Sequence, residues 1–308
     1  MPTPARRDPP ADERPWQAQD GLLRRVVATG ARLLRVGDAI EAPADVEPPA
    51  AAPTDAAPAS APDPALARAA WSDRLWGDGM TLPGGAEEVL RLAALLPLTP
   101  AHTVLLAGHG ARAAGSAVAA ARGCFVATHD LRAASPAARQ LPKRVTAAPL
   151  SPDAPAFRAR HHHHAMMLEP FRRGGAPDAM LRTTATALRD GGEVVLLDLA
   201  GRAGASDARW LAVEDRQPPP SEEAMASAFE RTGFRIHVVE DAGPRQQRAA
   251  LLGWVSVLEA LRGPRRPAPA MAAALVEEAE AWLLRLRLLR DGELRLLRWH
   301  ATLARRPP

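Results

Sequence analysis

Residues 103–119 read TVLLAGHGARAAGSAVA, an apolar run that breaks at a glycine pair and restarts as a stretch of small helix-forming residues. This order predicts a strand, a tight loop and a helix N-terminus. Gly108 and Gly110 have access to backbone angles closed to other residues, and without a Cβ they let the main chain approach a ribose or carboxylate closely. A second apolar run, 124–129, ends at Asp130, twenty residues past Gly110. In a doubly wound α/β fold that is where a carboxylate meets ribose hydroxyls. The glycine pair alone is weakly specific, and the carboxylate at the next strand's end strengthens it.

The chain around this unit divides by composition. Residues 1–20 are charged and proline-rich and are expected to be disordered. Residues 21–40 place Leu22, Leu23, Val26, Val27, Leu33 and Leu34 near helical spacing with arginines on another face, an amphipathic helix. Residues 41–64 are almost wholly Ala, Pro, Asp and Glu, a linker that cannot pack a core. The folded domain is expected over 65–303. Helical pieces at 65–76 and 85–96 precede the first strand, and further strands are expected at 124–129, 144–147, 163–168 and 193–199. A helix at 221–232, a strand at 234–240, helices at 245–261 and 271–290 and a last strand at 293–302 complete the pattern. Alternation of this kind predicts a doubly wound, Rossmann-like, seven-stranded and mostly parallel sheet. Its last strand would be antiparallel, with a helical insertion before it.

The 308 residues, 47% hydrophobic, suffice for one sizeable domain with length left for tails. Cys124 is the only cysteine, which rules out a disulfide framework and fits a reducing cytoplasm. Neither a transmembrane segment nor a signal peptide is expected: no eighteen-residue uncharged apolar run occurs, and charges fill the first twenty residues. The sequence pI of about 10.5 invites a nucleic-acid reading. Yet Lys143 is the only lysine among 39 basic residues, and 35 acidic residues leave a net charge of only +4. High pI here reports arginine standing in for lysine, and no nucleic-acid motif accompanies it.

Three stretches give the chain a resemblance to the class I S-adenosylmethionine-dependent methyltransferases over about 65–303. Residues 75–90, LWGDGMTLPGGAEEVL, resemble the segment ahead of the first strand in phosphoethanolamine and related small-amine N-methyltransferases. VLLAGHG with the following strand ending at Asp130 is the second, and 188–199, LRDGGEVVLLDL, is similar to the family's leucine-x-proline-glycine-glycine turn into its fifth strand. The resemblance implies S-adenosyl-L-methionine as cofactor and a small-molecule methyl acceptor. Thr81 and Leu82 would close over the methionine end, Gly108 and Gly110 would line its amino-acid portion, and Arg112 would stand near its carboxylate. Asp130 would take the ribose hydroxyls, with Leu131 and Leu150 on either side of the adenine. Glu169 corresponds to the acidic catalytic position beside the acceptor. Methyl transfer from a sulfonium asks mainly for alignment and exclusion of water.

The sequence also departs from that family. Leu106 stands where an aspartate is usual, Arg112 where a third glycine belongs, and Pro149 at the acidic adenine-binding position. There is no tyrosine, and Arg173 occupies the place of an acceptor-site histidine. Two readings stay open beside the enzyme: a catalytically degenerate methyltransferase-fold binding or assembly protein, and an NAD(P)-binding oxidoreductase, since 108–113 also fits Gly-x-Gly-x-x-Ala. Gly30 interrupts 21–40, so docking on the domain is what is expected of that helix; peripheral membrane contact through it and a homo-oligomer also stay open. His161–His164 enter a strand, where alternating side chains cannot converge on one ion, so no metal is expected. Met166, Met167, Trp254, Trp282 and Trp299 read as core.

Overall fold

The computed structural model describes Gly21, Arg25, Ala28 and residues 64–132, 140–202, 207–263 and 267–304. The segment 1–20, nearly all of 21–40, and the linker up to its last residue lie outside the described residues; that last residue, Pro64, opens the first helix. The strands are β1 (Thr103–Gly108), β2 (Phe125–Asp130), β3 (Val145–Pro149), β4 (His162–Leu168), β5 (Leu188–Gly201), β6 (Phe234–Asp241) and β7 (Leu294–Leu303). They form one sheet in the order β3-β2-β1-β4-β5-β7-β6, with β7 antiparallel to both its neighbours. The order reverses direction between β1 and β4, and the ends of these strands form the crevice used by ligands in doubly wound sheets.

The helices are α1 (Pro64–Trp76), α2 (Gly85–Ala93), α3 (Ala111–Arg122), α4 (Pro177–Ala187), α5 (Ala208–Glu214), α6 (Glu222–Arg231), α7 (Gly243–Leu261) and α8 (Pro269–Arg290). The central strands are apolar on both faces, and their two-residue period divides the core. Leu106, Met166, Val195 and Leu197 face α1, α2, α3, α7 and α8, whereas Leu105, Met167, Val194 and Leu196 face α4 and α6. Each fully buried leucine contributes on the order of 1.5–3 kcal/mol, so these runs fix the centre of the sheet. Met166, Met167, Trp254, Trp282 and Trp299 are all buried, and Trp282 meets Trp76 edge-on at 5.1 Å.

Several boundaries differ from the sequence pattern. β5 begins at Leu188, not at residue 193: Leu188 pairs with His162 and Glu193 with His164, so extra residues loop out around Gly191, whose φ is +77°. The helical piece expected over 85–96 ends at Ala93. Helix α5 had no counterpart in the periodicity; it is only seven residues long and is started by Asp207, whose carboxylate accepts the Trp210 amide at 2.9 Å. The histidine run enters β4, a central strand, and His162 and His164 are buried there.

Candidate cofactor and acceptor site

Gly108 ends β1 with φ +129°, and a Cβ there would stand 2.0 Å from the Leu168 carbonyl oxygen of β4. That carbonyl accepts the His109 amide at 2.7 Å, which binds the loop to the neighbouring strand. Gly110, with φ +72°, begins α3, and a Cβ on it would lie 2.6 Å from the Thr81 hydroxyl oxygen. The Thr81 hydroxyl donates to the His109 carbonyl at 3.0 Å. Both glycines are therefore required by close approach of the protein to its own loop. Thr81 reaches the loop from the segment ahead of α2, while Leu82 is buried in the core on the same side.

Asp130, at the tip of β2, satisfies the amides that a helix N-terminus leaves without partners. Its Oδ1 accepts from the Gly110 amide at 3.1 Å and the Arg132 amide at 2.9 Å, and its Oδ2 accepts from the Arg112 amide at 2.8 Å. Burial pushes its carboxyl above the ordinary range, and the three amides oppose that shift. Leu131 donates its amide to the Gly108 carbonyl at 3.0 Å, and Leu150 donates to the Asp130 carbonyl at 2.9 Å. Six of the residues singled out from the sequence, Thr81, Gly108, Gly110, Asp130, Leu131 and Leu150, thus converge through direct contacts at one corner of the sheet. Arg112 joins them through its backbone, with a half-buried side chain. Pro149 is the register partner of Asp130, and Leu106 is fully buried inside β1.

Glu169 follows β4 in the left-handed region, φ +42°, with its amide donated to the Leu197 carbonyl at 2.7 Å. Its carboxylate accepts from Arg285 of α8, from Arg216 at 2.5 Å and from Arg172 at 3.5 Å. Arg216 also donates to Asp198 at 2.7 Å, and Arg172 to Glu214 at 3.1 Å. The Phe171 and Leu199 amides complete the shell of Asp198, at 2.9 and 2.7 Å. Three carboxylates and three guanidiniums thereby form one neutral network, largely buried at the ends of β4 and β5.

The charges set distinct titrations. Burial pushes Glu169 up, but Arg285, Arg216 and Arg172 outweigh it and hold the carboxyl well below its usual range. Asp198 is raised to about 6, by burial first, with Arg216 opposing and Glu169 adding to the rise. His109, half-buried between the two glycines, is held neutral: burial, then Arg172, Arg132 and Arg216, pull it well below the ordinary value against Glu169. Arg173 points elsewhere, paired with Asp215 at 2.7 Å on exposed surface.

The sequence reading did not single out His109, Arg172, Asp198, Glu214, Arg216 or Arg285 as site residues. Asp198 carries a usable signal, a lone carboxylate inside the apolar run VVLLDLA. Arg285 carries none, because an arginine among the leucines of α8 reads as a solvent-facing position.

No protein-family model matches the chain, and no curated protein matches it. Solved structures do match in fold. The chain is similar to phosphoethanolamine N-methyltransferase 2 of Haemonchus contortus, in complex with phosphomonomethylethanolamine and S-adenosylhomocysteine, with 16% identity and a TM-score of 0.63. That match covers 77% of this chain and 57% of the other, so the chain spans little more than half the length of that enzyme. A geranyl diphosphate C-methyltransferase from Streptomyces coelicolor A3(2) matches with 16% identity and a TM-score of 0.52, over 70% and 75% of the two chains. The [4+2]-cyclase SpnF matches with 16% identity and a TM-score of 0.50, over 72% and 81%. The chain has the fold of the class I S-adenosylmethionine-dependent methyltransferases, a fold that in the last of these carries a different reaction.

Proposed function

We propose that this chain binds S-adenosyl-L-methionine at the ends of β1 and β2 and transfers its methyl group to a small molecule. The carrying observation is the placement of Asp130: a carboxylate at the tip of β2, held against the first turn of α3 beside Gly108, Gly110, Leu131 and Leu150. An ionised carboxylate offers about four acceptor directions, and the three amides leave one on Oδ2 for a hydroxyl. Leu131 and Leu150 supply apolar surface for a purine, and the positive N-terminal end of α3, which opens on a glycine, favours a carboxylate. These residues fit the cofactor.

Bound there, the cofactor supplies an electrophilic sulfonium methyl. The remaining work falls to the chain: Asp130 orients the sugar, and Thr81 holds the loop through the His109 carbonyl. Glu169, fixed as an anion by three guanidiniums, fastens the ends of β4 and β5 to α8 instead of moving a proton, since a carboxyl so depressed is a poor proton acceptor at neutral pH.

Calorimetric titration with S-adenosylhomocysteine and with NAD tests the proposal. Saturable binding of the sulfur nucleoside and none of NAD is expected; binding of NAD alone overturns it. The network locking Glu169 favours a second reading, a methyltransferase-fold protein that no longer catalyses and serves as a binding or assembly module. Absence of any response to S-adenosylhomocysteine would select it.

A further inference from the structure

The opposite edge of the sheet, where the strands begin, carries a feature independent of the cofactor site. Arg122 precedes β2, Lys143 and Arg144 precede β3, Arg158 and Arg160 precede β4, and Arg189 lies at the start of β5; all six are exposed. The same segments carry Asp153, Asp190 and Glu193, and Asp190 pairs with Arg160 at 3.3 Å. Six basic residues against three carboxylates leave these segments positive.

The edge is continuous. The Arg144 guanidinium lies 4.8 Å over the Phe125 ring and donates to the Pro100 carbonyl. The Phe125 amide donates to the His102 carbonyl at 3.0 Å, His102 stacks on His163 at 4.5 Å, and His163 meets Arg189 at 2.9 Å. Five adjacent strand starts at about 4.8 Å spacing span roughly 19 Å, enough to meet several phosphates at once. Phe125 is the only exposed aromatic residue among those described, and it sits within this arginine row.

We propose that this basic edge docks the chain on a bilayer surface bearing anionic headgroups. Two features favour lipid over nucleic acid. Single-stranded nucleic acid is held by successive stacking aromatics, and one phenylalanine does not make such a series. The sequence 21–40 adds a second membrane signal, with Leu22, Leu23, Val26 and Val27 set against Arg24 and Arg25, and stable peripheral attachment takes two signals. No described helix is long and apolar enough to cross a membrane.

Cosedimentation of the full chain with vesicles of phosphatidylcholine, alone or mixed with phosphatidylglycerol, tests this, with polyuridine as a competing polyanion. The expected result is salt-sensitive partitioning onto phosphatidylglycerol vesicles only. The variant R122Q/K143Q/R158Q spares Arg144 and Arg189, which hold neighbouring groups, and its fold is checked by near-ultraviolet circular dichroism. It should lose about a hundredfold in partitioning, about fivefold for each of three surface charges. Wild-type partitioning indifferent to phosphatidylglycerol, an unchanged folded variant, or tight polyuridine binding without vesicle binding would each overturn the proposal. A second variant, L22S/V26S, which changes no charge, should weaken partitioning while leaving its salt dependence. Loss of all binding there, with none in the charge variant, would move the contact off the sheet edge and overturn the proposal as well.

Discussion

Two carboxylates at the same end of the sheet, Asp130 and Glu169, are held in opposite ways. Asp130 is held by three backbone amides, all within twenty residues of it, and keeps one acceptor direction. Glu169 is held by side-chain guanidiniums that arrive from as far away as α8, 116 residues on in the chain. An amide cradle asks for no buried counter-charge. An internal ion network removes six charged groups from water and recovers that cost only through its geometry. The corner between β1 and β2 thus keeps an open acceptor direction, whereas the corner between β4 and β5 is closed on itself.

The contrast is broken most forcefully at Arg216, which joins Glu169 to Asp198 with its side chain fully excluded from solvent. Arg216→Met leaves both carboxylates short of a partner, and a loss of about 3–5 kcal/mol is expected by urea denaturation. A loss under 1 kcal/mol would mean that the network is replaceable by apolar packing. Asp130→Ala attacks the other corner. S-adenosylhomocysteine affinity should fall about tenfold, one charge-assisted bond's worth, and stability by about 1 kcal/mol from the lost cap. An unchanged dissociation constant in the folded variant would place the nucleoside elsewhere.

Arg112→Gly sharpens the comparison from the cofactor side. If the guanidinium meets the cofactor carboxylate, affinity for S-adenosylhomocysteine should fall by up to about tenfold. A gain on substitution would show that the side chain obstructs the pocket.

A smaller effect is expected from the imidazoles. His162 and His164 titrate at about 4 in the fold, below the ordinary 6.5, through burial first and then neighbouring imidazoles. The unfolded chain takes up protons first, so their contribution to stability is complete above pH 6.5 and lost progressively as pH falls toward 4. Asp198, raised from 3.8 to about 6, works in the opposite direction, since its protonation favours the fold between those values. Thermal melts at stepped pH should decline on the acid side, and His164→Phe should flatten the slope. A slope unaffected by that change would remove the imidazole from the account.

The same division governs what the sequence revealed. The β1 loop, α3 and Asp130 were legible because glycine angles, the helix start and the carboxylate lie within one β-α-β unit and obey local rules. The strand alternation and reversed last strand were legible from periodicity and from family likeness. The ion network was not: Arg216 follows a seven-residue helix too short to show a period, and Arg285 sits in a leucine-rich helix whose orientation only packing on α1 and α5 decides. Thr81 was placed by family likeness, but its role as a clamp on the His109 carbonyl emerged only from tertiary contact.

The central claim, that the β1–β2 corner receives the cofactor while the β4–β5 corner stays closed, is tested most directly by a crystal structure with S-adenosylhomocysteine. The account predicts the ribose on Asp130, the purine between Leu131 and Leu150, and the pairs of Glu169 with Arg216 and Arg285 intact. A nucleoside bound away from Asp130, or a Glu169 released from both arginines, would contradict it.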